Sequence, residues 1–258
     1  MRDYSEYQKI LELWAEGHNK SEIAQMTGIP RATIRDCIVR YKDMDGLEAE
    51  RERASRATPD GVLARIKNPA DTKTQQAYAY LLGMYLGDGY IVRNNRVYFL
   101  RIFCASVYPG IIDACVDAIQ TILPNNKASV QPQIGANCVE VIGRYKFWPE
   151  LFPQHGAGRK HERKITLEPW QQEIVDRYPL EVFRGLYHSD GTRDKNRVNG
   201  KEYPRYGFTN MSDDIRNLFC HTCDLLGVHW TVARWGLNIH IARRKDVAYL
   251  DEVVGPKY

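Results

Sequence analysis

Two nine-residue stretches hold the residues most suited to chemistry: "LLGMYLGDG" at 81–89 and "FRGLYHSDG" at 183–191. Each is an apolar, helix-forming segment that ends in Asp-Gly, with the aspartates at Asp88 and Asp190. The glycine behind each aspartate suits the left-handed conformation that closes many helices. Gly83 and Gly87 are four apart, as are Gly185 and Ser189, so each segment carries a stripe of small residues along one face. Such stripes let two helix backbones approach closely. If they meet, the C-terminal ends of both helices lie together and so do the two carboxylates. A carboxylate there opposes the helix dipole, and two neighbours raise each other's pKa. A divalent cation between them relieves both penalties. The simpler alternative, that each aspartate exits its helix into solvent, suits a lone segment better than two in register.

The register comes from a duplication. After Asp88-Gly89 the order is a hairpin in "YIVRNNRVYFLRIFCAS", a helix "PGIIDACVDAIQTIL", strands "KASVQPQI" and "CVEVIG" about the turn "GAN", and a helix "RYKFWPELF". After Asp190-Gly191 it recurs as a hairpin in "TRDKNRVNGKEYPRYGFTN", a helix "DDIRNLFCHTCDLLG", strands "HWTVAR" and "LNIHIAR" about the turn "WG", and a helix "KDVAYLDEVVG". Asp88 and Asp190 are 102 residues apart, and "IGRYK" precedes the similar "IARRK" by 99. A repeat of this length implies two similar lobes about a pseudo-twofold axis. Their residues are 74–178 and 179–258.

A different unit precedes them. In "SEYQKILELWAE" the spacing puts Ile10, Leu11 and Trp14 on one helical face. Asn19 and Glu22 have the spacing of a capping box before "KSEIAQMT", and Gly28 and Pro30 separate that helix from "RATIRDCIVRYK". Two short helices about a glycine turn form a helix-turn-helix, here placed in residues 1–42. Arg31, Thr33, Arg35 and Arg40 are the polar members of its reading helix, with Ile34 and Ile38 turned inward. The segment "EIAQMTGIPRATIRDCI" resembles resolvase-type helix-turn-helix segments. A three-helix protein-interaction module is the bland alternative. Residues 43–73 are charged, nearly free of aromatics and broken by Gly46, Pro59, Gly61 and Pro69, which predicts a tether with a helical start at 47–56.

Composition narrows the classes. The 258 residues, 43% hydrophobic, suffice for one large or two modest domains. No apolar run reaches the roughly 18 residues of a membrane span, and the N-terminus does not read as a signal peptide. Six irregularly spaced cysteines suggest reduced thiols in a cytoplasm. The net charge of +4 does not announce nucleic acid, but clusters such as "GRKHERK" at 158–164 are locally basic. Half a zinc knuckle, "CHTC" at 220–223, has no answering pair, and Phe219, Cys223 and Leu226 read as an apolar stripe. His155 and His161 flank the basic loop as metal ligands or, more commonly, as solvated or phosphate-contacting side chains.

The two motif stretches resemble the paired motifs of the LAGLIDADG homing endonucleases and related DNA-binding proteins, over roughly residues 74–258. That resemblance implies an α+β fold, a pseudo-twofold duplicated αββαββα unit whose saddle-shaped antiparallel sheets straddle double-stranded DNA, here behind an all-α helix-turn-helix domain. It implies a monomer, no membrane, and Mg2+ (or Mn2+) held near Asp88 and Asp190, with Gly87 and Ser189 beside them in the metal site. The family's earlier motif aspartate is replaced by Leu86 in one copy and His188 in the other. Phosphodiester hydrolysis needs a positioned water and cations on the scissile and leaving oxygens. Lys160 and Lys257, each following its lobe's last helix, are the candidates to polarise water and steady charge, against a bland reading as surface lysines.

Strand and turn residues expected to face DNA are Arg93, Arg96, Arg101, Arg144, Lys146, Lys195, Arg197, Arg205, Arg234, Arg243 and Arg244, most of them on phosphate. The reading is a site-specific double-strand DNA endonuclease in a prokaryotic or phage cytoplasm, associated with the nucleoid. A transcriptional regulator on a non-cleaving scaffold is the alternative, and an RNA-splicing maturase a weaker third.

Overall fold

A computed structural model describes residues 3–56, 58–234 and 236–258. The chain divides into two compact units, one up to Gly61 and one from Val62 to Tyr258.

The first unit is helical: α1 (Tyr4–Ala15), α2 (Lys20–Thr27), α3 (Arg31–Tyr41) and α4 (Met44–Arg56). The capping box forms as the spacing predicts. Asn19 Oδ1 accepts from the Ser21 and Glu22 amides at 2.9 and 3.1 Å, and Glu22 accepts from the Asn19 amide at 2.9 Å. Gly28 ends α2 at φ +69°, where a side chain would be strained. Ile10, Leu11, Ile23, Ile34 and Cys37 make the core, and Ile38 packs at its edge. Trp14 departs from expectation. In the last turn of α1, it is 38% exposed beside the Lys20 ammonium, while Leu13, one residue earlier, is buried. The charged stretch 43–73 is also more ordered than a tether: α4 and α5 (Pro59–Lys67) occupy most of it. Leu47 is buried in the first core, and Val62 and Ile66 in the second. Leu47 on α4 and the i, i+4 pair Val62 and Ile66 on α5 give each helix a face to bury.

The second unit holds α6 (Thr72–Leu86), β1 (Gly89–Asn94), β2 (Val97–Ala105), α7 (Pro109–Ile122), β3 (Ser129–Pro132), β4 (Cys138–Tyr145) and α8 (Trp148–Leu151). After α9 (Pro169–Arg177) the order returns as α10 (Pro179–Asp190), β5 (Gly191–Val198), β6 (Lys201–Thr209), α11 (Asp213–Leu225), β7 (Thr231–Val232), β8 (Asn238–Ile241) and α12 (Arg244–Val253). The two sheets have matching antiparallel orders, β1-β2-β4-β3 and β5-β6-β8-β7. This is the αββαββα repeat that the resemblance implies, written twice. Arg144 and Tyr145 extend β4 where a helix was expected, since Tyr145 pairs with Tyr98 and fills the core. The strand expected at 229–234 is reduced to Thr231–Val232, and of the turn at 235–236, Trp235 lies outside the described residues.

Helices cover one face of each sheet. Ile91, Leu100, Ile102 and Val141 point to them in the first half, and Tyr206, Phe208, Ile239 and Ile241 in the second. Phe219 and Cys223 lie in this core too, so the "CHTC" stretch packs and its thiols stay unpaired. Among the described residues α9 has no counterpart in the second half. Buried Gln171 ties it down, donating to the Tyr78 hydroxyl at 2.6 Å and accepting from Gln154 at 2.6 Å. Among the described residues no helix is long and apolar enough to cross a membrane.

Candidate active site

The site is built by one crossing. α6 and α10 pass each other at Gly83 and Gly185, where backbone meets backbone. A methyl group on Gly83 would lie 2.7 Å from the Leu186 amide nitrogen, 2.7 Å from the Val182 carbonyl oxygen and 2.8 Å from Gly185 Cα. One on Gly185 would overlap the Tyr80 carbonyl and sit 2.9 Å from Gly83 Cα. One turn on, Gly87 faces Ser189, and a methyl group there would collide with the serine and lie 2.9 Å from Asp190 Oδ2. The small-residue stripes therefore meet as the spacing predicts, and they bring the two helix ends together.

The glycines after the aspartates act differently from expectation. Gly191 is extended, at φ −86° and ψ 158°, and Gly89 likewise opens its strand without a positive φ. Each is needed for room. A methyl group on Gly89 would come 2.5 Å from Tyr85 Cα, and one on Gly191 2.8 Å from Tyr187 Cα. The chain turns directly from helix into strand over its own last turn.

At this junction the carboxylates are crowded. Asp88 keeps an open face to solvent but has protein packed around the rest of it. Desolvation and the Asp190 charge raise its pKa to about 6, against the pull of Lys257 and Lys160. Asp190 is raised as well, by burial, while a hydrogen bond from Asn210 Nδ2 at 2.7 Å and the two lysines work the other way. Asn210 Oδ1 accepts from the Ser212 amide at 2.8 Å, which leaves its Nδ2 aimed at Asp190. Leu86 and His188, the positions of the family's earlier motif aspartate, are both buried, so neither can be a ligand at this cluster's surface. His188 Nδ1 lies 3.0 Å from the Tyr80 hydroxyl, and burial lowers its pKa to about 3.

Lys160 and Lys257 do converge here, on the backbone. Lys160, in a short 3-10 turn at Lys160–Glu162, gives its ammonium to the carbonyls of Tyr85, Leu86 and Gly87 at 2.5, 2.8 and 2.6 Å. Lys257 donates to the Ser189 carbonyl at 2.9 Å. Each lysine thus caps a motif helix whose last carbonyls lack partners, as the dipole favours. Burial lowers the pKa of both, to about 8 for Lys160. Neither is an ordinary surface lysine.

Next to Asp190 opens a pocket of about 330 Å3, lined by Gly87, Arg159, Lys160, His161, Thr209 and Asn210 among others. Sequence reasoning missed Arg159 and Asn210. The basic loop was visible at 158–164, whereas nothing in the sequence tied Asn210 to an aspartate twenty positions away.

The expected DNA-facing residues divide by strand alternation. Arg101, Arg144 and Arg205 lie on the sheet faces turned away from the helices. Arg144 is exposed, with its guanidinium 5.2 Å from the Phe99 ring. Arg101 binds the Tyr90 hydroxyl at 2.8 Å and buried Glu140 at 3.4 Å, and Arg205 grips Asp194 at 2.8 and 3.0 Å. Arg93, Lys195 and Arg197 fall on the helix-side face, exposed toward the hairpin ends, and Lys195 pairs with Glu202 at 2.8 Å. Arg96 and Arg234 are in turns, Lys146 follows β4, and Arg243 and Arg244 open α12. In the first unit Arg31 and Thr33 stand at the start of α3, while Arg35 pairs with Asp36 at 3.1 Å and Arg40 with Glu50 at 2.9 Å.

The donor set suits a hard divalent cation. Asp88 and Asp190 offer carboxylate oxygens, and the Gly87 and Ser189 carbonyls adjoin them but are engaged by the lysines. No cluster of three or more His, Cys, Asp or Glu able to hold a metal exists among the described residues. Two carboxylates without further protein ligands match Mg2+, which keeps several waters and takes substrate phosphate oxygens.

The raised Asp88 carboxyl makes a prediction. A carboxyl whose pKa is raised in the folded protein destabilises it as pH climbs from the unfolded value of 3.8 through about 6. Without divalent cation, Asp88→Asn should therefore melt above the native protein at pH 7, and the advantage should vanish near pH 4. Calorimetry at the two pH values checks this; equal melting at pH 7 would mean that neither burial nor the Asp190 charge burdens the Asp88 carboxylate.

The repeated element order, the glycine-to-glycine crossing and the paired aspartates at the shared helix ends are the features that the resemblance of the two motif stretches implies. No protein-family model matches the sequence, and no curated protein matches it. Among solved structures, the chain is similar to I-DmoI in complex with DNA and Mn, at 18% identity over 72% of this chain and 99% of that one, with a TM-score of 0.48. It is similar to the N-terminal LAGLIDADG domain of DUF199/WhiA at 13% identity over 79% and 93%, TM-score 0.47. It is also similar to the homing endonuclease I-WcaI bound to its DNA recognition sequence, at 14% identity over 71% and 82%, TM-score 0.42.

Proposed function

We propose that the chain is a site-specific double-strand DNA endonuclease that works with Mg2+ or Mn2+. The observation that carries this reading is the pairing of Asp88 and Asp190 at the Gly83–Gly185 crossing. A pseudo-twofold site matches the twofold symmetry of a duplex backbone, and one chain supplies both halves, so a monomer suffices. Bound divalent cations would polarise a scissile phosphoryl oxygen and lower the pKa of water. The chain's own residues do the rest. Asp88 and Asp190 bind and orient, and Asn210 fixes the rotamer of Asp190. Lys160 and Lys257 hold the helix ends rigid and add positive charge where an anionic phosphorane would form. Arg159 and His161 line the side of the pocket from which a phosphate would approach. Exposed Arg144 suits phosphate or base contact on the open sheet face, whereas Arg101 and Arg205 are already held by acids.

The first unit fits duplex binding through α3, with Arg31, Thr33 and Arg35 outward. Removing residues 1–61 should weaken target affinity or shorten the footprint and leave cleavage intact, because both carboxylates and both lysines lie beyond Gly61. Footprinting alongside a cleavage assay checks this. Full affinity in the truncated protein would assign the first unit another partner.

A second reading, a non-cleaving transcriptional regulator on the same scaffold, is favoured by one observation: lysine ammonium groups already occupy the Gly87 and Ser189 carbonyls. One experiment separates the two. A target is selected from random duplex DNA by binding and then incubated with Mg2+. Cleavage at a fixed position supports the endonuclease, and tight binding without cleavage supports the regulator.

A further inference from the structure

The two lysines are anchored by unlike means. Lys160 is fixed locally: its 3-10 turn is closed by Glu162 accepting from the Arg159 amide at 3.2 Å, and its ammonium meets three carbonyls. Lys257 has one carbonyl, that of Ser189, and follows the end of α12 and the left-handed Gly255 at φ +73°. Its Nζ also stands 5.8 Å from the centroid of the Tyr187 ring. The residue behind it does something further. The Tyr258 carbonyl oxygen accepts from the Ile111 amide at 3.2 Å, at the start of α7, a helix with no side-chain N-cap. The Tyr258 ring, half of it open to solvent, lies against Gly110, where an added methyl group would overlap the ring and lie 3.1 Å from its Cγ. It also stands edge-on to His188 of α10, with centroids 6.0 Å apart. Gly110 has no positive φ, so the backbone does not require a glycine there, and the ring is what a side chain would meet.

We propose that Tyr258 and the notch at Gly110 form a latch that positions Lys257: the second half's lysine is set on the end of α10 by a grip on α7 of the first half. The inference rests on the endonuclease reading for its effect on rate and on geometry alone for its effect on Lys257. Tyr258 and Gly110 are positioning residues and touch no reacting atom. The latch also makes the site sense the seating of one half on the other, since α7 belongs to the first repeat and α10 to the second.

The test uses the full chain with Gly110→Ala, Tyr258→Ala and Tyr258→Phe. Two measurements run in parallel: single-turnover cleavage with the DNA Kd, and acylation of individual lysines by an N-hydroxysuccinimide ester, read by mass spectrometry. Gly110→Ala and Tyr258→Ala are expected to raise Lys257 labelling to that of the exposed Lys245. They should lower the cleavage rate about 10- to 100-fold with the Kd unchanged, the scale of a misplacement of about 1 Å. Tyr258→Phe should keep native labelling and rate. Gly110→Ala combined with Lys257→Met should cut no more slowly than Lys257→Met alone. Native labelling in both Gly110→Ala and Tyr258→Ala overturns the latch, as does a rate loss in the double variant beyond that of Lys257→Met. If the native chain cuts no DNA, the endonuclease reading fails and the labelling still decides the latch. If Gly110→Ala melts early, Tyr258→Ala carries the same comparison.

Discussion

Asp88→Asn and Asp190→Asn should each lose double-strand cleavage by more than about 100-fold while still binding the target, since even outer-shell partners of a metal are worth about 10–100-fold. The two carboxylates are the charged oxygen donors at the helix junction, and the nearby carbonyls of Gly87 and Ser189 are engaged by lysines. An asparagine keeps the shape and removes the charge, so the fold should hold. At neutral pH without cation the Asp88 variant should even gain stability, because the cost of a partly desolvated carboxylate beside the Asp190 charge is lifted. Loss of cleavage combined with gain of stability is a signature that misfolding cannot imitate. It is measured as cleavage of a selected target under Mg2+ together with a melting curve. Undiminished cutting by either variant would remove these aspartates from the chemistry.

Gly83→Ala and Gly185→Ala should destabilise the second unit by about 1–3 kcal/mol or more, and the corresponding leucine variants should fail to fold. The reason is which atoms stand in the way. An overlap with a side-chain tip is relieved by a rotamer change, but Gly83 faces the Leu186 amide and the Val182 carbonyl, and Gly185 faces the Tyr80 carbonyl. Backbone atoms inside a helix move only if the helices separate. Domains are stable by about 5–15 kcal/mol, so even the alanine cost is a large fraction. Separation would also part Asp88 from Asp190, and Mg2+ should then no longer raise the melting temperature by preferential binding to the native state. Urea denaturation with and without Mg2+ gives both quantities. A Gly185→Ala protein with native stability would show that the helices do not cross there.

Much of the arrangement was legible because it depends on near neighbours. The period of apolar residues sets helices and strands, and the turn and cap residues bound them. Asn19 and Glu22 cap α2 because they are three residues apart. Gly83 and Gly185 meet because each sits on a helix face that offers no side chain, and the duplication places the same face in both halves. The repeated αββαββα order, and with it the neighbouring aspartates, follows from the sequence in this way.

The tertiary structure alone decided what depends on distant residues. Lys160 reaches carbonyls of residues 85–87 and Lys257 that of Ser189, so they cap helices, a role no local pattern encodes. Arg101 and Arg205 looked like free strand arginines until the sheet brought Glu140 and Asp194 beside them. Arg93 and Lys195 read as groove residues until pairing register put them on the other face, where a shift of one residue reverses every side chain. Asn210 and the grip of Tyr258 on α7 join residues 20 and about 150 positions from their partners. Sequence patterns report on torsions and periodicity within a few residues, whereas ion pairs, caps across the fold and the environment of each carboxylate depend on distances that only folding sets.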